Sequence, residues 1–292
     1  MDSRRIALLA AVGLVSGLAS TLLGRPPVDP PVDPPADPDG GVLPGLCEAS
    51  AVVMLEGAIL VGDNETEGQV FRFDQRLSAL PPLKLSAEIE DIEALVALPE
   101  GGLWVVGSQS ANKKGERKPL REQVMVQGQA PITPDLGACG PCEAARGLPP
   151  KQGGLSVEGA ASWQGSLWLG LRSPLVEGKA LLLRMEGDPT RGLVVAEQVP
   201  VDLAGQGVRD LAVVDGALWI LAGPTGAGPG EHQLYRLNAP DEAPTLLPTR
   251  LPAGAEGVVA DGKGSLIVVT DGDGQPGSAC AAPATWTRLP LP

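Results

Sequence analysis

The sequence predicts an all-β chain folded as a β-propeller of five blades. Three observations carry that expectation: a strand-pair unit that recurs five times, a glycine-bearing turn inside each copy, and tryptophans that fall in one register. Each unit is a carboxylate, a short apolar strand, a turn and a second apolar strand. The copies are EASAVVMLEGAILVGDNE from Glu48, EALVALPEGGLWVVGSQS from Glu93, EGAASWQGSLWLGLRSP from Glu158, DLAVVDGALWILAGP from Asp210 and EGVVADGKGSLIVVTDGD from Glu256. Their lead carboxylates are 45, 65, 52 and 46 residues apart, and the longest gap leaves room for a degenerate sixth blade.

The first strand of each copy precedes a turn carrying Glu-Gly, Gln-Gly, Asp-Gly or Gly-Lys-Gly, a hairpin signal because glycine tolerates positive φ. The second strand is nearly continuous in apolar residues: Ile59–Val61, Leu103–Val106, Leu167–Leu169, Leu218–Leu221 and Leu266–Val269. A run apolar on both faces belongs between packed sheets. Trp104, Trp168 and Trp219 share one register in these runs, with Leu60 and Ile267 in the other two copies, so inter-sheet packing is their expected role. Third strands follow at Val70–Phe73, Leu181–Met185 and Gln233–Leu237, with weaker ones at Glu122–Val126 and Trp286–Leu289. Fourth segments are visible at Pro81–Leu85, Leu193–Val201 and Ala243–Leu251. Such a sheet buries both faces only in a ring of its own kind.

Composition agrees. Glycine (39) and proline (30) approach a quarter of the 292 residues, which excludes a helical bundle. The net charge of −13, with no basic block, excludes nucleic-acid binding, which rests on phosphate contacts. A single histidine excludes His-rich metal sites.

Ahead of the repeats, residues 1–24 place Arg4 and Arg5 before an uncharged stretch ending in small residues, the pattern of a signal peptide, with an uncleaved N-terminal anchor as the alternative. Either way the chain is expected to be exported to periplasm, medium or cell surface, touching a membrane only through this segment. Residues 25–41 hold seven prolines and four aspartates and read as an extended polyproline-II linker. The propeller is expected over residues 42–292.

Four segments resemble the bacterial family catalogued as domain of unknown function 3616: GSQSANKKGERKPLRE (107–122), GLRSPLVEGKALLLRM (170–185), GQGVRDLAVVDGALWILAGP (205–224) and AEGVVADGKGSLIVVTDG (255–272). That family is similar in turn to esterase-like phytase propellers. The resemblance implies a propeller over roughly residues 46–275 and makes hydrolysis of phosphate or other esters one expectation. Gln109 stands between Ser108 and Ser110 where related sequences often have histidine, which weakens any histidine chemistry there.

Candidate site residues follow from the repeat. Glu48, Glu93, Glu158, Asp210 and Glu256 each begin a blade's first strand and are expected to converge at one mouth of the channel. Second strands end near Asp63 and Glu65, Arg172 and Asp271, at the same face. Clustered like charges require raised pKa values or bound cations. Arg121, Arg172 and Arg209 lie in the family-like segments and supply either anion contacts or internal neutralisation. Hard oxygen ligands would favour Ca²⁺ or Mg²⁺; Asp271 and Asp273 resemble the opening of a calcium loop but lack its twelfth-position glutamate. His232 has no Gly-x-Ser-x-Gly elbow to accompany it and reads as a strand-end residue. Lys113, Lys114, Arg117 and Lys118 form a short basic loop.

The four cysteines of an exported chain suggest two disulfides. Cys47 precedes the first unit and Cys280 follows the last hairpin, and first and last are neighbours in a closed ring, so a Cys47–Cys280 staple is expected. Cys139-Gly-Pro-Cys142 has thioredoxin spacing without a βαβ context, so a local brace is expected rather than redox catalysis.

Two function classes remain open. One is a binding module whose acidic, arginine-containing funnel holds a small anionic ligand or a protein partner. The other is a metal-dependent phosphoester or ester hydrolase.

Overall fold

The computed structural model describes residues 39–226, 230–272 and 280–292. Five antiparallel sheets form one ring. The first blade is β2 (Ala49–Leu55), β3 (Ala58–Asp63), β4 (Gln69–Phe73) and β5 (Ala79–Lys84). The second has three strands, β6 (Ile92–Ala97), β7 (Leu103–Gly107) and β8 (Val124–Val126). The third is β9 (Ser156–Trp163), β10 (Ser166–Ser173), β11 (Ala180–Asp188) and β12 (Gly192–Val201). The fourth is β13 (Gly207–Val214), β14 (Ala217–Gly223), β15 (Gln233–Leu237) and the short β16 (Thr245–Leu246).

The fifth blade is built from both ends of the described chain: β17 (Ala255–Ala260), β18 (Ser265–Thr270) and β19 (Thr285–Pro290), with β1 (Gly40–Val42) as its outermost strand. This strand begins inside the stretch read as linker. A Cβ on Gly41 would stand 3.0 Å from Trp286 Nε1, so a residue that looks like part of a turn makes room for an indole. The long gap before Glu158 holds no sixth blade among the described residues. It carries β8, helix α1 (Gly140–Ala145) and a single 3₁₀ turn (Pro150–Gln152).

The inner strands β2, β6, β9, β13 and β17 each touch the next, and β17 touches β2, so the ring is closed. Between every pair of blades lies an apolar cluster, and the five register-matched residues occupy these clusters in turn. Leu60 lies between the first and second blades, Trp104 between the second and third, and Trp168 between the third and fourth. Trp219 lies between the fourth and fifth, and Ile267 between the fifth and first. All five are buried, as inter-sheet packing requires. Prolines stay off the inner strands: Pro81 and Pro82 lie in the edge strand β5, Pro200 in the edge strand β12, and Pro290 at the end of β19 beyond its pairing with β1, where a missing ladder donor is tolerated.

Both disulfides form as expected, Cys47–Cys280 across the ring closure and Cys139–Cys142 beside α1. Cys142 and Ala145 anchor that helix in the cluster between the second and third blades. No helix among the described residues is long and apolar enough to cross a membrane.

Candidate functional site

Every inner strand carries a β-bulge at the same place. The register slips between Ala49 and Ala51, Ile92 and Ala94, Val157 and Gly159, Val208 and Asp210, and Ala255 and Gly257. The extra residue at each bulge is Ser50, Glu93, Glu158, Arg209 and Glu256. A bulge re-aims a side chain out of the pleat, and here all five enter one cavity of about 410 Å³ at the channel mouth. The residue after the bulge faces the neighbouring blade and is small in four copies: Ala51, Ala94, Gly159 and Gly257.

The ring is held by Arg209. Its Nη1 lies 2.7 Å from Glu158 Oε2 and its Nη2 contacts Glu256, so one guanidinium spans the third, fourth and fifth blades. Gly223 makes this possible, because a Cβ there would meet Arg209 Cγ at 2.9 Å and the His232 ring at 2.7 Å. Arg172 Nη1 donates to Glu158 Oε1 at 2.9 Å, and its other nitrogens donate to the carbonyls of Pro224 and Gly226. Ser156 Oγ donates to the same Glu158 oxygen at 3.1 Å. Ser50 Oγ donates to the Ile92 carbonyl of the next blade.

Glu93 is the exception. It makes no hydrogen bond or ion pair among the described residues, yet it faces the cavity between Ser50 and Glu158. Burial raises its carboxyl well above the usual range, and the charges of Glu158, Asp91 and Glu256 add to that against the pull of Arg209. Glu256 is pushed up to about 7, chiefly by burial, with the Arg209 attraction opposing the shift and Glu158 supporting it. His232, just before β15, also lines the cavity; burial and the charges of Arg209 and Arg172 hold its pKa down at about 4, so the ring is neutral.

The predicted residues divide. Glu48, Glu93, Glu158, Glu256, Arg172, Arg209 and Asp271 line the cavity. Glu48 does so from two positions before the bulge, one step out of the ring. Asp210 does not line it, because it sits one residue past the bulge and is buried between blades. There it accepts from the Leu211 and Val258 amides, both at 2.8 Å. Asp63 is buried and accepts from the Cys47 and Glu65 amides, so it fixes a loop. Glu65 is exposed. Arg121 pairs with Glu90 at 2.8 Å and Asp91 at 3.1 Å, outside the main cavity. Asp273 lies outside the described residues.

The sequence reading missed Ser50, His232 and Lys151 as lining residues. Aligning the copies on the small residue after each bulge would have placed Ser50 in register with the glutamates; Arg209 lacks that marker, because Asp210 follows it. Among the described residues, no group of three or more His, Cys, Asp or Glu side chains is placed to hold a metal ion.

Beyond the ring, the channel continues as an apolar space of about 210 Å³ lined by the inner strands, Val52–Met54 and Val258–Ala260 among them.

No curated protein matches the chain in sequence. Solved structures match it in fold. A thermostable family-43 glycoside hydrolase aligns with TM-score 0.51 and 11% identity, covering 85% of this chain and 92% of its own. The PQQ-bound aldose sugar dehydrogenase of Streptomyces coelicolor gives 0.42 and 15%, covering 87% and 99%. The exo-β-1,3-galactanase of Phanerochaete chrysosporium gives 0.49 and 10%, covering 85% and 61%. At such identities the likeness is one of fold. Of the four family-like segments, 170–185 and 205–224 fall within residues 143–247, which span the third and fourth blades whole and match the family described as protein of unknown function (DUF3616).

Proposed function

We propose that the chain is an exported binding module whose funnel takes a small, hydroxyl-rich ligand. The observation that carries this reading is Glu93, a half-buried carboxyl that makes no hydrogen bond or ion pair among the described residues and faces the cavity from a ring whose other members are engaged. A carboxyl that opens on a cavity with no protein partner keeps its hydrogen-bonding capacity for a ligand there. A protonated carboxyl offers one donor and retains acceptor capacity, which suits a hydroxyl. Around it the wall sets the acidic side chains of Glu48, Glu158, Glu256 and Asp271 and the Asn64 amide beside the donors Lys151, Arg172 and Arg209, so acceptors for ligand hydroxyls outnumber the cationic donors. Trp, Tyr and Phe are absent from the lining described, so recognition would rest on hydrogen bonds rather than stacking. Two disulfides agree with folding in an oxidising compartment.

The metal-dependent hydrolase alternative draws no support from the donor geometry of the described residues. The binding reading is tested by ligand-observed NMR and calorimetry with a panel of neutral hexoses, pentoses and inositols at millimolar concentration. Saturable binding of at least one member, lost in Glu93→Ala while the thermal transition persists, is expected. No binding by any member, or equal binding by Glu93→Ala, would overturn it.

A further inference from the structure

A second cavity, about 420 Å³, adjoins the funnel and shares Glu93, Lys151, Glu158 and Arg172 with it. It is a cleft between the loop after β7 and the loop before β9, and Lys113, Arg121, Ser110, Gln152 and the carboxylate of Asp91, which is paired with Arg121, also line it. The two loops are pressed together: a Cβ on Gly115 would stand 2.7 Å from the Gly147 carbonyl. The Cys139–Cys142 bridge and the buried face of α1 fix the second loop from behind. The cleft is therefore a built feature.

Its charge differs from that of the funnel. Arg121 and Arg172 are tied to carboxylates, but Lys113 and Lys151 form no ion pair among the described residues and stand exposed at the rim. Two ammonium groups outside any ion pair, Lys113 also lying within electrostatic reach of Glu65, form a local positive rim on a chain of net charge −13. Ser110 Oγ is engaged in the wall: it donates to Asp91 Oδ2 at 3.2 Å, bonds to Ser108 Oγ at 2.8 Å and accepts from Arg121 Nη1 at 3.4 Å, so the cations of the rim carry the subsite.

We propose that this cleft is an oxyanion subsite contiguous with the funnel, so that the ligand is a hydroxylated molecule ending in a carboxylate or phosphate group. The hydroxylated part would lie over Glu93, and the anionic end would sit between Lys113 and Lys151. This rests on the funnel reading for the body of the ligand but not for the subsite itself. Exposed lysines act as point charges, so the attraction is expected to weaken with salt.

The test uses the whole exported domain with inorganic phosphate and acetate as probes, titrated by calorimetry at low ionic strength. Saturable binding is expected, weakened about tenfold in Lys113→Glu, as two nearby charge changes imply. Tighter phosphate binding would identify a phosphate-ended ligand, and tighter acetate binding a carboxylate-ended one; both support the subsite. Lys113 lies outside the funnel and is exposed, so its variant is expected to fold and to bind the neutral panel as before. Absence of saturable binding by either anion, or equal binding by Lys113→Glu, would overturn the subsite. In that case the funnel reading is judged separately by the neutral panel on the same samples.

Discussion

Arg209 Nη1 lies 2.7 Å from Glu158 Oε2, so a buried ion pair joins the inner strands of the fourth and third blades. Both side chains come from bulges at equivalent registers, and Arg209 reaches Glu256 of the fifth blade as well. A propeller closes only if every inter-blade contact is made, so a polar clamp on top of three blades bears on closure as well as on the mouth of the funnel. Glu256 depends on this guanidinium for charge balance, whereas Glu158 is also paired with Arg172.

Removing Arg209 therefore leaves two carboxylates buried with less compensation. Breaking one side of a buried pair typically costs about 3–5 kcal/mol. Arg209→Ala is expected to lose stability on that order in urea denaturation. Adding Glu256→Gln to it should recover part of the loss, because Glu256 is the carboxylate left without a cation, whereas Glu158 keeps Arg172. A single-variant loss below about 1 kcal/mol would place the clamp among weak surface pairs.

Glu93 should make stability fall with rising pH. Its folded pKa is raised above its ordinary value of 4.5, so the folded chain holds a proton that the unfolded chain releases. The contribution is fully present below that ordinary value and is lost as pH climbs through the folded pKa. Glu93→Gln, neutral at every pH, is expected to raise the thermal midpoint relative to the parent at pH 8 and to bring little change at pH 4. A difference between the two proteins that does not vary with pH would contradict the shift.

His232 acts with the opposite sign. Its pKa falls from 6.5 to about 4 on folding, so the unfolded chain binds the proton first as the solution is acidified. Stability from this group is intact above the ordinary value and is lost as pH falls towards the folded one. His232→Gln should remove that acid-side decline, read as a flatter plot of midpoint against pH between those limits. An unchanged slope would show that the ring titrates normally.

The blade count and the tryptophan register were legible because both rest on periodicity. Each second strand is apolar on both faces, and its centre must fill an inter-blade space, whether with Trp104 or with Leu60. The site was legible in part. Glu93, Glu158 and Glu256 stand out as carboxylates before apolar runs. In the fourth unit the carboxylate is Asp210, but the bulge presents Arg209 and turns Asp210 toward the Val258 amide. In the first unit Glu48 masked Ser50. A bulge adds one residue without altering the hydrophobic pattern on either side, so alternation cannot locate it. Of the cleft's lysines, Lys113 was legible as part of a basic loop, but Lys151, 38 residues away in sequence, joins it in one cleft only through loop packing.

The two disulfides should differ in their worth. Cys47–Cys280 closes 233 residues and ties the last blade to the start of the first, for which the chain-entropy relation gives about 5 kcal/mol. Cys139–Cys142 closes three, for which the same relation gives roughly 2 kcal/mol. Replacing each pair with serine and measuring denaturation should show the larger loss for the ring staple. Equal losses would mean that β1 alone secures closure.

Gly159 tests the packing that creates the bulge ring. It follows Glu158 directly, and a Cβ there would lie 2.9 Å from both the Leu211 amide nitrogen and Leu211 Cγ, and 3.0 Å from the Asp210 carbonyl carbon. Two of these are backbone atoms of the next inner strand, so the clash is not relieved by a rotamer change. Gly159→Ala must push β9 and β13 apart just where Glu158 meets Arg209, and overpacking of this kind costs about 1–3 kcal/mol. Gly165 in the hairpin turn of the same blade meets nothing within 4 Å, although its φ of +74° leaves Gly165→Ala a backbone penalty of its own. The informative comparison is therefore in the double variant. If Gly159→Ala acts by loosening the Arg209–Glu158 contact, its effect and that of Arg209→Ala should fall short of additive, whereas Gly165→Ala and Arg209→Ala should add. Full additivity at Gly159 would separate the close approach of the strands from the clamp above it.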